Sequence, residues 1–219
     1  MEMNRMKSNE KVLGMVQLAF FSAIIIIMAL VPFLGYIPLG VTRATIIHIP
    51  VIIGAIVLGP KRGAFLGALF GLTSLLTNTF NPTVTSFVFT PFYSVGDMRG
   101  NGWSLVICFL PRILVGIVPY YVFKGVRRLM RKVESAETVP LILAGLAGSL
   151  TNTILVMNMI FLFFRDGYAN AKNIAVETLY SVILGVIGVN GVPEAVVAAV
   201  LTLAVGKALL KSAKTKPQR

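Results

Sequence analysis

The sequence predicts an all-α, polytopic integral membrane protein in which six transmembrane helices form one compact bundle. Three observations support this fold class. Of the 219 residues, 56% are hydrophobic, and the mean hydropathy is +0.85. Only 13% are charged, about half the share found in a soluble domain. Apolar runs near the length that spans a bilayer recur along the chain. The length therefore fits a single membrane domain over residues 1–219.

Six apolar segments account for the predicted helices, and helix-breaking residues set their limits. The first segment ends before Pro32 and the second ends at Gly59-Pro60, because proline cannot continue a regular helix. A polar stretch rich in Thr, Asn, Ser and Pro separates the third segment from the fourth, and Pro111 and Pro119 interrupt the fourth. The predicted helices cover residues 13–31, 46–58, 63–77, 103–123, 140–164 and 178–210.

The basic residues are distributed unevenly between the two sides of this topology. With six spans both termini lie on one side, which collects 15 of the 20 basic residues, whereas the other side has 4. Basic residues accumulate on the cytoplasmic side of a membrane. The segment 1–12 and the basic tail 211–219 are therefore predicted to be cytoplasmic. The run KGVRRLMRK (residues 124–132) is interpreted as a topology signal and a lipid-headgroup contact. The net charge of +12 then requires no nucleic-acid partner.

Polar residues inside the last three predicted helices indicate a pocket for a small polar solute. Arg112 lies in the fourth helix, where an ionised arginine must be paired or face water. Asn152 and Asn158 lie in the fifth helix. Asn190 and Glu194, in the sixth, are four residues apart and share a face. A structural alternative is an ion pair between Arg112 and Glu194, with the asparagines as clamps between helices.

Pro111 precedes this arginine directly. A proline inside a helix has no N–H to donate, so it can free a backbone carbonyl of the preceding turn.

The sequence contains none of the common catalytic patterns. One histidine and one cysteine, His48 and Cys108, cannot form a metal-ligand cluster. There is no GxxxxGK[ST] phosphate loop, and nothing near His48 marks a nucleophile. The chain is therefore predicted not to be an enzyme, and it requires no cofactor. Of 8 acidic residues, only Glu194 lies clearly inside a helix, too few for an obvious proton or sodium relay. Transport against a concentration gradient would then depend on energy supplied by a partner subunit.

The first helix offers a surface for such a partner. In AFFSA, Ala19 and Ala23 are spaced so that their small side chains lie on one face, which lets another helix approach closely. That helix could also belong to the same chain. A membrane enzyme or a small ion-coupled transporter remains an alternative function; the second would show paired acidic residues at midspan or an inverted repeat.

Several segments resemble the substrate-binding (S) components of energy-coupling factor (ECF) transporters, which take up vitamins in prokaryotes. VPFLGYIPLG (residues 31–40), TIIHIPVIIGAIVLGPKRGAFLGALFG (residues 45–71) and SFVFTPF (residues 86–92) are most similar to the pantothenate-type members. The HIPVIIGA…LGPK block is shared more widely in the superfamily. The AxxxA pattern of the first helix also matches the family.

The resemblance implies a high-affinity vitamin-binding subunit in the prokaryotic plasma membrane. Such a subunit captures vitamin from outside, docks onto a membrane coupling subunit driven by two ATPases, and topples to release the vitamin inward. Ala19 and Ala23 match the docking motif. The vitamin implied is pantothenate, with folate, riboflavin and cobalamin as alternatives.

The outer loops would supply a basic mouth to this pocket. Arg43 and His48 lie in or just after the loop between the first two helices, and Arg99 lies in the loop before the fourth. These three residues would attract the carboxylate of pantothenate. An alternative role for His48 is capping or packing at the entrance of the second helix, and Arg43 can equally face lipid headgroups.

Overall fold

A computed structural model describes residues 2–39, 42–131 and 137–214, and in these residues the fold is helical apart from two short hairpins. The helices are α1 (Glu2–Leu30), α2 (Pro32–Gly35), α3 (His48–Leu58), α4 (Pro60–Phe80), α5 (Gly102–Val115), α6 (Val118–Leu129), α7 (Thr138–Lys172), α8 (Leu179–Val186) and α9 (Val192–Lys214). The antiparallel hairpins pair β1 (Tyr36–Leu39) with β2 (Thr42–Thr45), and β3 (Ser94–Val95) with β4 (Met98–Arg99). Single 3-10 turns cover Ser86–Val88 and Val176–Thr178, and a π-helix covers Ile187–Gly191.

Five stretches of helix are long and apolar enough to cross a membrane, and they correspond to five of the six predicted spans. They are Lys11–Leu30, Pro60–Phe80, Gly102–Leu129, Thr138–Lys172 and Val176–Lys211. The remaining predicted span is α3, which has 11 residues, about half of the length that crosses a bilayer as a straight helix. The all-α fold class is confirmed. The last five residues of the predicted basic tail, 215–219, lie outside the described residues.

The short helix α3 lies at the centre of the bundle. Its residues from His48 to Ile56 are all buried, and it packs against α1, α4, α6, α7 and α9. A helix that is apolar all round is expected in such a position. It ends at Gly59, whose φ of 91° is a backbone conformation that glycine adopts at little cost. The chain then turns directly into α4 at Pro60.

Two glycines allow α4 and α5 to pack backbone against backbone. A Cβ atom on Gly63 would overlap the carbonyl oxygen of Gly116, and one on Gly67 would overlap the carbonyl oxygen of Arg112. Small residues at such crossings permit close helix approach inside membranes. This contact sets the position of the last turn of α5, which carries Arg112.

The longer predicted helices contain interruptions that the structure locates. The fourth predicted helix divides at Gly116 and Ile117 into α5 and α6, whereas Pro111 lies inside α5. The fifth continues to Lys172 through a kink at Phe164, where φ is −134° and ψ is 24°. The sixth is divided by the π-helix. Single π-helical turns are frequent at functional positions in helices.

Candidate functional site

A cavity of about 380 Å³ opens at the end of the bundle where α1 and α4 finish. Its walls come from α4, the loop after α4, α5 and α7. The lining residues are Ala29, Ile47, Phe70, Thr73, Ser74, Thr77, Asn78, Asn81, Thr83, Phe89, Arg112 and Asn152. Polar side chains predominate, and among the described residues Arg112 is the one ionisable group in the lining.

Arg112 is buried at the wall of this cavity, with 7% of its surface exposed. Its Nη1 donates a hydrogen bond to the carbonyl oxygen of Ile107 at 2.8 Å. The guanidinium carbon lies 5.6 Å from the ring centroid of Phe70 and 5.2 Å from that of Phe89, distances at which an aromatic face attracts a cation. Because a guanidinium can form two parallel hydrogen bonds with a carboxylate, this arrangement suits an anionic group.

Pro111 explains why the Ile107 carbonyl can accept this bond. In a regular helix that carbonyl would accept from the N–H of the residue four positions later, but that residue is Pro111, which has no N–H. The carbonyl is therefore left without its helical donor, and the guanidinium of the next residue, Arg112, occupies it. The expectation that Pro111 frees a backbone carbonyl is confirmed by this hydrogen bond.

Side-chain hydrogen bonds tie the loop after α4 to the polar face of that helix. Asn78 Nδ2 donates to the carbonyl oxygen of Ser74 at 2.8 Å, and Asn78 Oδ1 accepts from Ser86 Oγ at 2.7 Å. The hydroxyls of Thr79 and Thr90 are 2.7 Å apart. These contacts hold the 3-10 turn Ser86–Val88 beside the cavity.

Asn152 brings a polar group to the cavity from α7. Its Oδ1 is buried and accepts no hydrogen bond from the described residues. A buried acceptor in that condition costs about 1–3 kcal/mol, so a ligand that donates an N–H or O–H group to it would recover this energy. The cavity thus combines one cation with a buried amide acceptor and a wall of hydroxyls.

The family model described as "ECF transporter, substrate-specific component" matches residues 14–206. The chain belongs to this family. It is 41% identical over 172 residues to the pantothenic acid transporter PanT of Lactococcus lactis subsp. cremoris, with 78% of this chain and 79% of the relative covered. It is 32% identical over 213 residues to the pantothenate transporter PanT of Leuconostoc mesenteroides subsp. mesenteroides, with 94% and 97% covered.

Membership in this family confirms the resemblance seen in the sequence. The S component is a multi-pass membrane protein and not an enzyme. It works with the ECF module, which consists of a membrane coupling subunit and ATPases.

Two of the predicted site residues, Arg112 and Asn152, line the same cavity. Other polar residues of the last two spans lie elsewhere in the S component. Glu194 is buried in α9, where its Oε2 accepts a hydrogen bond from Thr153 Oγ1 at 3.5 Å. Asn158 Nδ2 donates back to the carbonyl oxygen of residue 154 at 2.8 Å. Asn190 lies in the π-helix, against which β2 packs.

Two of the three residues predicted at the mouth, His48 and Arg99, do not line this cavity. His48 is 1% exposed at the start of α3, next to the cavity-lining Ile47, and neither ring nitrogen has a hydrogen-bond partner among the described residues. Arg99 is exposed on β4 and lines a separate cavity of about 310 Å³. Arg43 lies in β2, but its side chain is outside the described residues.

The polar face of α4 is the part of the site that the sequence interpretation missed. Thr73, Ser74, Thr77 and Asn78 all line the cavity. The prediction placed the first three in the third helix and Asn78 in the polar stretch after it, and it assigned pocket residues only to the outer loops and the last three helices. Their three- and four-residue spacing is a helical signal. Because α4 continues to Phe80, Asn78 joins the other three residues on one face of this helix.

The predicted docking residues lie on an open face of α1. Ala19 and Ala23 are exposed, as are Val16 and Phe20, at 60% and 63%. In the part of the chain that the structure describes, no other helix covers this face. The alternative that these alanines pack against a helix of the same chain is therefore not the observed arrangement.

Proposed function

We propose that this S component binds pantothenate and delivers it to an ECF importer, and that the cavity around Arg112 is the binding site. The cavity carries this proposal because its chemistry matches the vitamin. Pantothenate has a carboxylate, an amide and hydroxyls. The cavity presents a buried guanidinium, a buried amide and several hydroxyl groups. Both relatives are named as transporters of pantothenate or pantothenic acid, which supports the same substrate.

Arg112 would meet the carboxylate. Its Nη1 is held by the Ile107 carbonyl and its face by two phenylalanine rings, so little side-chain freedom remains to be lost on binding. Glu194 contacts Thr153 and does not line the cavity, so its effect on the pocket would be indirect.

Asn152 and the α4 face would meet the amide and the hydroxyls. An asparagine side chain both donates and accepts, and Asn152 has a free acceptor. Threonine and serine hydroxyls on α4 complete the polar wall. His48, Asn158, Asn190 and Arg99 would contribute only after movement of the loops or helices that carry them, because they do not line the described cavity.

A smaller vitamin fits this lining better than a large aromatic one. Trp103, the single tryptophan, stacks on Phe163 with ring centroids 4.0 Å apart, and neither residue lines the cavity. The aromatic residues of the lining, Phe70 and Phe89, flank the guanidinium of Arg112. Among the described residues of the lining, they leave no broad stacking surface for riboflavin or folate.

The topology that we propose has six spans and both termini in the cytoplasm. The 15 to 4 distribution of basic residues supports it, and α3 would be a short central span. Single cysteines at Ser8 and Ser212 should resist a membrane-impermeant thiol reagent in intact cells, while one at Asn170 should react. The native Cys108 is buried, so its background labelling by the thiol reagent should be low. Labelling of both termini from outside would refute this topology.

The substrate is tested by calorimetric titration of the purified protein. We expect stoichiometric binding of pantothenate, and weaker binding of the alcohol analogue that replaces the carboxylate with CH2OH. Hydrogen bonds to a charged group contribute about 1.5–3 kcal/mol, so the analogue should lose about tenfold to hundredfold in affinity. Tighter binding of riboflavin or folate would contradict the proposal.

The assignment of Arg112 is tested by Arg112→Lys, which keeps the charge but loses the planar fork. The variant should lose affinity for pantothenate and lose little further affinity for the neutral analogue. The same substitution at the exposed Arg165, outside the cavity, is the matched control and should change neither affinity. If Arg112→Lys binds the acid normally, the arginine is structural.

A further inference from the structure

A second and larger cavity, of about 660 Å³, opens at the opposite end of the bundle, where α3, α6 and α9 end. Its floor is apolar: Ile56 and Phe123 are buried and Leu210 is partly buried. Its wall is basic and comes from α6 and the turn that follows. The wall residues are Tyr120, Lys124, Arg127, Arg128 and Arg131.

The basic residues of the lining form one stripe along α6 that continues into the turn after it. Lys124, Arg127, Arg128 and Arg131 recur at intervals of three and four residues, which places them in one stripe. The other side of the helix carries Leu129, which is 87% exposed. All four cations line the cavity, whereas Leu129 does not. Basic residues that only set the topology would not need this orientation.

The charge at this end of the bundle is poorly balanced among the described residues. The lining contains four cations and no carboxylate. Arg127 Nη2 lies 3.6 Å from Glu137 Oε1 just outside the lining. Helix C-termini also favour cations, but this effect is confined to the last turn, and Lys124 precedes the last turn of α6. The cavity is thus a positively charged recess with an apolar floor.

We propose that this cavity binds the headgroup of an anionic phospholipid, and most favourably one with two phosphates, of the cardiolipin class. Basic pockets between transmembrane helices recognise such headgroups, and arginine forks pair with phosphate oxygens. The apolar floor would contact the glycerol and the first acyl carbons. A free phosphate would use the same cations but leave this floor unused. The assignment to the cytoplasmic leaflet rests on the proposed topology; the site itself does not.

Native mass spectrometry of the purified protein in micelles with added cardiolipin tests this site. The same micelles with added phosphatidylcholine provide the neutral-headgroup reference. We compare the wild type with Arg128→Gln/Arg131→Gln and with the matched control Arg165→Gln/Lys172→Gln at the other end of the bundle. Each basic residue near a membrane surface contributes about fivefold to anionic lipid binding, so the first double variant should lose about thirtyfold in cardiolipin affinity. The control should lose little.

Pantothenate titration of the same samples separates this proposal from the proposed function, because Arg128 and Arg131 lie outside the vitamin cavity. Retained vitamin binding shows that the variant is folded. Should the double variant fail to fold, Arg128→Lys/Arg131→Lys keeps the charges and should weaken cardiolipin binding by a smaller factor.

Three results would overturn the lipid site. The first is an equal loss of cardiolipin in the control variant, which indicates nonspecific attraction. The second is displacement of cardiolipin by inorganic pyrophosphate at equal concentration, which indicates a soluble anion. The third is unchanged cardiolipin affinity with lost association of the coupling subunit, which indicates a protein contact.

Discussion

Replacement of Pro111 with alanine should change stability and vitamin binding in opposite directions. The variant restores an N–H four residues after Ile107, and that N–H would compete with Arg112 Nη1 for the Ile107 carbonyl, now bonded at 2.8 Å. The helix regains a hydrogen bond and loses the steric cost of an interior proline, which together are worth about 3 kcal/mol. The arginine loses part of an anchor that, as a hydrogen bond to a charged group, contributes about 1.5–3 kcal/mol.

The expected size of the binding effect follows from this competition. A carbonyl oxygen has two lone pairs, so the anchor is weakened rather than abolished, and we expect a cost of about 1–2 kcal/mol. This corresponds to a rise of about fivefold to thirtyfold in the Kd for pantothenate. The Tm should stay equal or rise. Affinity for the neutral analogue should change little, because it does not engage the guanidinium.

Calorimetric titration with both ligands, together with thermal unfolding, measures these effects. Pro119→Ala is the matched control, since Pro119 lies in the first turn of α6, where a missing N–H removes no helical hydrogen bond. The control should leave both Kd values unchanged. A Pro111→Ala protein with a raised Tm and an unchanged Kd for pantothenate would refute the link between this proline and the position of Arg112.

Three further predictions concern docking, packing and the pocket. Ala19→Leu together with Ala23→Leu should abolish uptake and co-purification of the ATPases but leave pantothenate binding intact, because leucine blocks close helix approach. Persistent uptake would show that this surface is not the docking interface. Gly67→Ala should lower the Tm and weaken pantothenate binding, because the new Cβ meets the α5 backbone at a cost of about 1–3 kcal/mol. The control Gly185→Ala has open space at its Cβ and should change neither quantity. Equal effects of the two substitutions would contradict this packing. Asn152→Ala should weaken pantothenate binding about tenfold through loss of a hydrogen bond, and an unchanged Kd in titration would remove it from the site.

The fold class and most helices could be predicted from the sequence because hydropathy and proline positions are local properties. The apolar runs of α1, α4, α5 to α6, α7 and α8 to α9 each needed only their own residues to be recognised. The family could also be recognised, because its motifs are continuous in sequence. Arg112 and Asn152 stood out for a similar reason, since a polar side chain in an apolar run costs free energy in the membrane wherever the helix packs.

The tertiary structure decided which of the polar residues share a cavity. Asn158 bonds to its own helix and Glu194 bonds to Thr153, although both looked as suitable as Asn152 in the sequence. Convergence depends on how the helices cross, and the crossing of α4 with α5 depends on contact between Gly67 and the backbone of Arg112. A glycine has no side-chain pattern of its own, so its role becomes visible only when the opposing backbone is in place.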